Sequence, residues 1–157
     1  MWSFKWLPPG RGLWIMGTPF MWRAGGAALN NCGFVSTEDD FNEDPSQPFA
    51  FAMDMLMLGV GIGFDTKGAN KVKIKRPASK KNIYVIEDSR EGWVKALSDL
   101  IRSYTTNTDL GNIEFDYSLI RPKGSPIKGF GGEASGPEGL ISLLQSVNEF
   151  LAQRIKQ

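Results

Sequence analysis

Two stretches of this sequence repeat their apolar residues most clearly at helical spacing. Trp93, Leu97, Leu100 and Tyr104 recur every three or four positions with Val94 and Ile101 beside them, which predicts an amphipathic helix. Asp88 stands as its N-cap, with Glu91 three positions on. Leu140, Leu144, Val147 and Leu151 form a second stripe; there Ser135 is the expected cap, Pro137 suits the first turn and Glu138 closes a capping box. A third helix fits residues 48–58, with Phe49, Met53, Leu56 and Met57 available to a core and Gly59 as the stop. Short β-type runs fall at Leu13-Trp14-Ile15-Met16, read as a buried strand, at residues 33–36, at Gly61-Ile62-Gly63-Phe64 and at residues 83–86, with a weaker one at 72–74. Arg23 to Gly26 reads as a turn. Residues 36–47, with five acidic side chains and a proline, read as a solvated loop, and residues 67–81 as a basic connection. Strands alternating with helices predict an α/β architecture.

Composition narrows the chemistry more than the fold. The chain has 157 residues, enough for one domain with its own core. Its net charge is +1, from 18 basic and 17 acidic residues, so no overall field favours nucleic acid or a membrane surface. The apolar start is broken by Pro8, Pro9 and Gly10, too early for a secretory core, and no run reaches the roughly 18 apolar residues of a membrane span. A cytoplasmic location is expected. There is one cysteine and no histidine. An internal disulfide, a Ser-His-Asp triad and most zinc sites are thereby excluded. Any chemistry must come from a thiol, carboxylates, backbone amides or a borrowed cofactor. The last helix runs to Gln157 without a stop signal, which suggests a fragment.

Three features carry candidate chemistry, each with a plain structural alternative. Cys32 is either a small buried side chain or a redox thiol, and the second role needs a partner thiol that this chain lacks. Gly59, Gly61 and Gly63 alternate between a helix and a strand. They allow either close approach of a ligand to the backbone or tight helix–strand packing. The order is not that of the dinucleotide fingerprint, which needs strand, glycines, helix. The loop Gly129-Phe130-Gly131-Gly132-Glu133-Ala134-Ser135-Gly136-Pro137 feeds a helix N-terminus, which suits an anion or is merely a flexible connection. Arg121, Lys123 and Lys128 lie upstream of it, and no Walker motif is present.

Five segments, in order, resemble one family. They are Pro9-Gly10-Arg11-Gly12-Leu13-Trp14 through Gly17-Thr18; Leu29-Asn30-Asn31-Cys32 through Phe34-Val35; Met57-Leu58-Gly59-Val60-Gly61-Ile62-Gly63-Phe64; Asp88-Ser89-Arg90-Glu91-Gly92-Trp93; and Ile120-Arg121-Pro122-Lys123-Gly124 through Ile127-Lys128-Gly129-Phe130-Gly131-Gly132, then Ala134-Ser135-Gly136-Pro137. The chain resembles the monomeric class II ribonucleotide reductases, the adenosylcobalamin-dependent ribonucleoside-triphosphate reductases, over essentially its whole length.

The resemblance implies that residues 1–157 are the N-proximal part, about half, of the family's ten-stranded α/β barrel. It implies adenosylcobalamin in the complete enzyme, a ribonucleoside triphosphate substrate, a deoxynucleotide effector and a thioredoxin-type or dithiol reductant. Cys32 matches the first of a reducing cysteine pair. Asn31, Gly61 and Gly63 would lie against the substrate. Gly131, Gly132, Glu133, Ala134, Ser135 and Gly136 resemble the loop that carries effector specificity, and Lys71 is a candidate for effector phosphates. Glu133 departs from the threonine of several relatives, and the connection at residues 67–82 looks shorter. The radical cysteine, its neighbouring carboxylate and the second reducing cysteine are absent, so a second polypeptide carrying them is expected. The other readings are a non-catalytic nucleotide-binding remnant and a half-barrel that folds only marginally.

Overall fold

The computed structural model describes residues 3, 5–38, 43–127 and 132–155. Two short helices, α1 (Gly10–Ile15) and α2 (Pro19–Ala24), lead through a 3-10 turn (Gly25–Leu29) into β1 (Cys32–Val35). Helix α3 (Gln47–Met57) connects β1 to β2 (Gly61–Phe64). Helix α4 (Arg90–Tyr104) and a 3-10 turn (Thr108–Leu110) connect β3 (Lys81–Val85) to β4 (Asn112–Asp116), and α5 (Glu138–Arg154) follows. The described strands form two parallel pairs, β1 with β2 and β3 with β4. Each pair is closed by a helical crossover, as parallel pairing requires. The α/β expectation is met at that level.

The main core lies over the second pair. Ile86, Ala96, Leu97, Leu100, Ile101, Tyr104, Ile120, Leu140, Leu144 and Leu151 are buried together. The two helical stripes read from the sequence supply most of them, with Val147 half-buried at the margin. Tyr104 ties the helices together, its hydroxyl donating to Asn148 Oδ1 at 2.8 Å, and burial raises the phenol's pKa. A smaller cluster of Ile15, Ala28, Leu58 and Val60 lies under the first pair. Helix α3 bridges the two, with Met53 against the larger cluster and Met55 against the smaller.

Several local expectations are corrected. The run 13–16 belongs to helix α1 and its neighbouring turn, and only Ile15 is buried while Leu13, Trp14 and Met16 are exposed. A four-residue apolar run fits either conformation, and the tie is broken at long range. The Arg11 guanidinium donates to the carbonyls of Ala28, Leu58 and Gly59, so the chain must turn here to deliver it. Residues 23–26 continue helix α2 into the 3-10 turn, with Gly25 at φ 68°. Residues 72–74 form no strand; Lys75 N–H instead bonds the Tyr104 carbonyl at 2.7 Å, laying the segment along the end of α4.

Both predicted caps also shift. Ser89, not Asp88, caps α4 by accepting from Gly92 N–H at 3.0 Å, because Asp88 is held by Arg121 Nε at 2.5 Å. Pro137 precedes α5 with no side-chain cap, and the Ser135 hydroxyl turns to the Gly136 carbonyl at 3.3 Å. The acidic loop is not wholly solvated either. Arg102 of α4 bonds Asp44, and Ser46 is fully buried. Of α3, Phe49, Leu56 and Met57 remain exposed. They border an apolar groove of about 660 Å³ with Leu97 and Ile101 of α4 and Leu143, Val147 and Phe150 of α5.

Candidate functional site

Parallel pairing of β1 and β2 puts Cys32 level with Gly61, and Phe34 level with Gly63. Paired residues of a parallel ladder point to the same face. That face carries Cys32, Phe34, Gly61 and Gly63, all exposed. The opposite face carries Gly33 and Ile62 against Val60, where a Cβ on Gly33 would stand 2.9 Å from Ile62 Cδ1. The two glycines level with Cys32 and Phe34 are not packing glycines. A Cβ at Gly61 would meet only the Asn31 carbonyl at 3.6 Å, and one at Gly63 only the Phe34 ring and, at 4.0 Å, the Gly33 carbonyl. The ladder is extended upstream by Gly61 N–H bonding the Asn31 carbonyl at 2.9 Å. Asn31, Cys32, Gly61 and Gly63, four of the candidate residues, are thus brought together. The thiol is exposed, which overturns the reading of Cys32 as a buried structural side chain.

The far end of this pair is held by a residue that the sequence reading passed over. Asp65 accepts from the Ser36 hydroxyl at 2.8 Å, Thr37 N–H at 2.9 Å, the Thr37 hydroxyl at 2.8 Å and Lys67 N–H at 3.2 Å. These bonds, the Thr37 amide foremost, hold its carboxyl well below the usual carboxylate range although desolvation opposes them. The Thr37 hydroxyl in turn accepts from Gly68 N–H at 2.8 Å. No periodic signal marks such a residue; its role depends on a loop almost 30 positions away.

A second group gathers where α3 ends and α4 begins. Arg90 Nη1 reaches Asp54 Oδ1 at 3.1 Å, and with Arg121 bound to Asp88 this joins three segments. Asp88, Ser89, Arg90, Arg121, Ser135 and Gly136 line a concavity of about 260 Å³ with Met57, Trp93 and Ile120. The glycine-rich loop is ordered where it is described. Gly124 N–H bonds the Ala134 carbonyl at 2.9 Å, Ala134 N–H the Ser125 carbonyl at 2.7 Å, and Ile127 N–H the Gly132 carbonyl at 3.0 Å, which makes a small antiparallel ladder. Gly136 adopts φ 78°, where a side chain would run into Lys123 and the Glu138 carboxylate. Gly132, Glu133, Ala134, Ser135 and Gly136 lie on this ladder and its exit, whereas Gly131 and the upstream Lys128 lie outside the described residues. The N-terminus of α5 carries its own acidic residue, Glu138, so its positive end is already partly balanced. Lys71 is not among the residues lining the concavity, and its ammonium donates to the Glu38 carbonyl at 3.0 Å.

The fold has a counterpart among solved structures. A crystal structure of a B12-dependent (class II) ribonucleotide reductase superposes with a TM-score of 0.79 at 31% identity, over 92% of this chain and 27% of that one. The family model described as B12-dependent ribonucleotide reductase, insertion domain, matches residues 64–151, and the chain belongs to that family. The chain is 47% identical over 152 residues to the adenosylcobalamin-dependent ribonucleoside-triphosphate reductase of Euglena gracilis, covering 95% of this chain and 20% of that protein. It is 36% identical over 194 residues to the enzyme of that name from Lactobacillus leichmannii, covering 92% of this chain and 26% of that protein. The chain therefore spans about a fifth to a quarter of these relatives. The second alignment is longer than the 157-residue chain itself, so the Lactobacillus protein carries extra residues within the matched stretch.

Proposed function

We propose that this chain is the N-proximal portion of the catalytic domain of an adenosylcobalamin-dependent ribonucleoside-triphosphate reductase. In this reading β1 and β2 are neighbouring strands of the ten-stranded barrel, and the matched residues 64–151 are an insertion carried on them. The observation that carries the proposal is the exposed Cys32 thiol beside two glycines whose missing side chains leave the strand face open. A ribose approaching that face meets backbone and thiol rather than a wall of side chains. Asn31, Gly61 and Gly63 line the approach.

Cys32 is one of two reducing thiols, and the other comes from a polypeptide that completes the barrel. Together they give up two electrons and two protons and form a disulfide. The ribose exchanges its 2′ hydroxyl for hydrogen, and the oxygen leaves as water. A thioredoxin-type protein or a small dithiol then restores the thiols by exchange. The segment 131–136 reports the identity of a deoxynucleotide effector to the substrate site, with Lys71 near the effector phosphates. The enzyme works in the cytoplasm; among the described residues no helix is long and apolar enough to cross a membrane.

Adenosylcobalamin would supply the radical initiation when bound, and most of its corrin contacts are assigned to the completing polypeptide.

The test mixes this chain with a polypeptide covering the remainder of the barrel, adenosylcobalamin, a ribonucleoside triphosphate and dithiothreitol. Deoxynucleotide is expected from the wild-type mixture, and Cys32→Ser should reduce it to background while leaving the urea-unfolding midpoint in place. Undiminished turnover by Cys32→Ser would remove Cys32 from the reducing pair.

A further inference from the structure

Between residues 66 and 86 the chain carries seven cations and no acid: Lys67, Lys71, Lys73, Lys75, Arg76, Lys80 and Lys81. In a chain of net charge +1 this is a pronounced local excess. The geometry orders part of it. From 71 to 75 exposure alternates, with Lys71, Lys73 and Lys75 outward and Val72 and Ile74 half-buried. That is the two-residue period of extended chain, which spaces successive outward side chains about 7 Å apart. Ile74 packs on the main core, and Lys75 N–H is fixed to the Tyr104 carbonyl, so the inner side of the segment is anchored.

The outer side is not. The backbone N–H and C=O groups of Val72, Lys73 and Ile74 make no hydrogen bond among the described residues. The ammonium groups of Lys73 and Lys75 and the guanidinium of Arg76 have no ion pair there either, while Lys71 points to the Glu38 carbonyl. Two independent features therefore coincide on one stretch: a free edge of extended backbone and a row of unpaired cations at strand spacing.

We propose that residues 72–75 are a docking edge for an extended acidic polypeptide segment, which adds beside them as a strand. Its main chain takes up the free groups of Val72 and Ile74, which lie on the edge opposite the Lys75 N–H to Tyr104 bond, and carboxylates on alternate positions meet Lys73 and Lys75. An unpaired edge is a general template for strand addition. The lysines decide what it accepts, since a second copy of this edge would bring like charges together, whereas a strand with acids at every second position matches them in sign and spacing. This surface is distinct from the Cys32 face and does not depend on the reductase reading.

The probe is a synthetic eight-residue peptide alternating glutamate and threonine, titrated into the 157-residue chain and followed by fluorescence anisotropy and amide hydrogen exchange. Comparison ligands are a peptide of the same composition with its four glutamates consecutive, inorganic triphosphate and an oligothymidylate. The alternating peptide should bind at least fivefold tighter than the blocked one and slow exchange at Val72 and Ile74. The double change Lys73→Glu with Lys75→Glu should weaken it tenfold or more, and Lys73→Arg with Lys75→Arg should hold within about twofold. Equal affinity for both peptides, tighter binding of triphosphate or oligonucleotide, binding without protection at Val72 and Ile74, or no binding at millimolar peptide would each overturn the proposal.

Discussion

The two parallel units of this chain share a plan and differ in what closes them. In the unit β3–α4–β4, nine of the residues in a 15-residue crossover helix are buried. In the unit β1–α3–β2, an 11-residue crossover helix buries only Pro48. The cause is visible in composition. Helix α4 keeps its apolar residues on one stripe and its charges on the other side, so one contact surface satisfies it. Helix α3 is apolar nearly all round, from Phe49 to Met57 with Asp54 alone charged, and this chain covers only part of it. The better-packed unit lies within the stretch matched as an insertion domain, and the open unit carries the thiol. The packing and the exposed thiol thus lie in different halves.

The largest expected effect tests that division directly. Leu100→Ala, at a site 1% exposed, should cost about 3 kcal/mol in urea denaturation, the usual result of emptying a packed leucine site. The same truncation at Leu56, 57% exposed on α3, should cost about 0.5 kcal/mol or less. Similar losses at the two positions would mean that α3 is covered in solution, and the contrast between the units would fail.

Glycine-to-alanine changes sharpen the comparison at somewhat smaller cost. An added Cβ at Gly92 would stand 2.7 Å from the Glu87 carbonyl and 2.9 Å from its Cβ. Gly92→Ala should therefore destabilise by about 1–3 kcal/mol, as overpacking generally does. Gly61→Ala meets no comparable obstacle and should leave the unfolding midpoint almost unchanged while lowering turnover in the reconstituted mixture. A destabilising Gly61→Ala would make that glycine a packing residue.

What could be read in advance follows the same line. Helices α4 and α5 repeat their apolar residues over four turns, so their existence and buried faces were legible. Helix α1 has six residues, too few to show a period, and its conformation depends on Arg11 reaching carbonyls as far away as Gly59. Asp88 and Ser89 are equally good caps by type, and only Arg121, 33 positions away, removes the first from the choice. The candidate site divides likewise. Cys32, Gly61 and Gly63 could be singled out as residue types, yet the register that sets Cys32 beside Gly61 is a property of the sheet. Strands of four residues are too short to declare it.

The Asp44–Arg102 contact links the loop of one unit to the helix of the other. Desolvation alone would raise the Asp44 carboxyl, but hydrogen bonds from Arg102, Ser46 and Gln47 outweigh it and bring its pKa down from 3.8 to about 2. A lowered folded-state pKa stabilises above the unfolded value and is lost as pH falls through the folded one. Its contribution should therefore be complete above pH 4 and gone near pH 2. Solvent screening leaves about 1 kcal/mol. Asp44→Asn should remove that share of the acid-limb slope in a pH series of urea midpoints; an unchanged slope would mean the two units are not coupled here.

The smallest effect bears on the thiol itself. If the β1–β2 face is open because chemistry needs it open, Cys32 should behave in the folded chain nearly as it does in the unfolded one. A disulfide reagent such as dithionitrobenzoate should then titrate one equivalent at a rate within about tenfold of that in urea, since access rather than unfolding limits the reaction. The mixed disulfide adds a bulky group on the exposed side, away from Gly33 and Ile62, so the urea midpoint should move by no more than about 0.5 kcal/mol. A rate suppressed a hundredfold or more, with release tracking global unfolding, would instead mean that the face is covered, and the open unit would then be as closed as its neighbour. Fast reaction with an unmoved midpoint leaves the contrast standing where it matters most: the chain spends its packing on β3–α4–β4 and keeps its one thiol where another molecule can reach it.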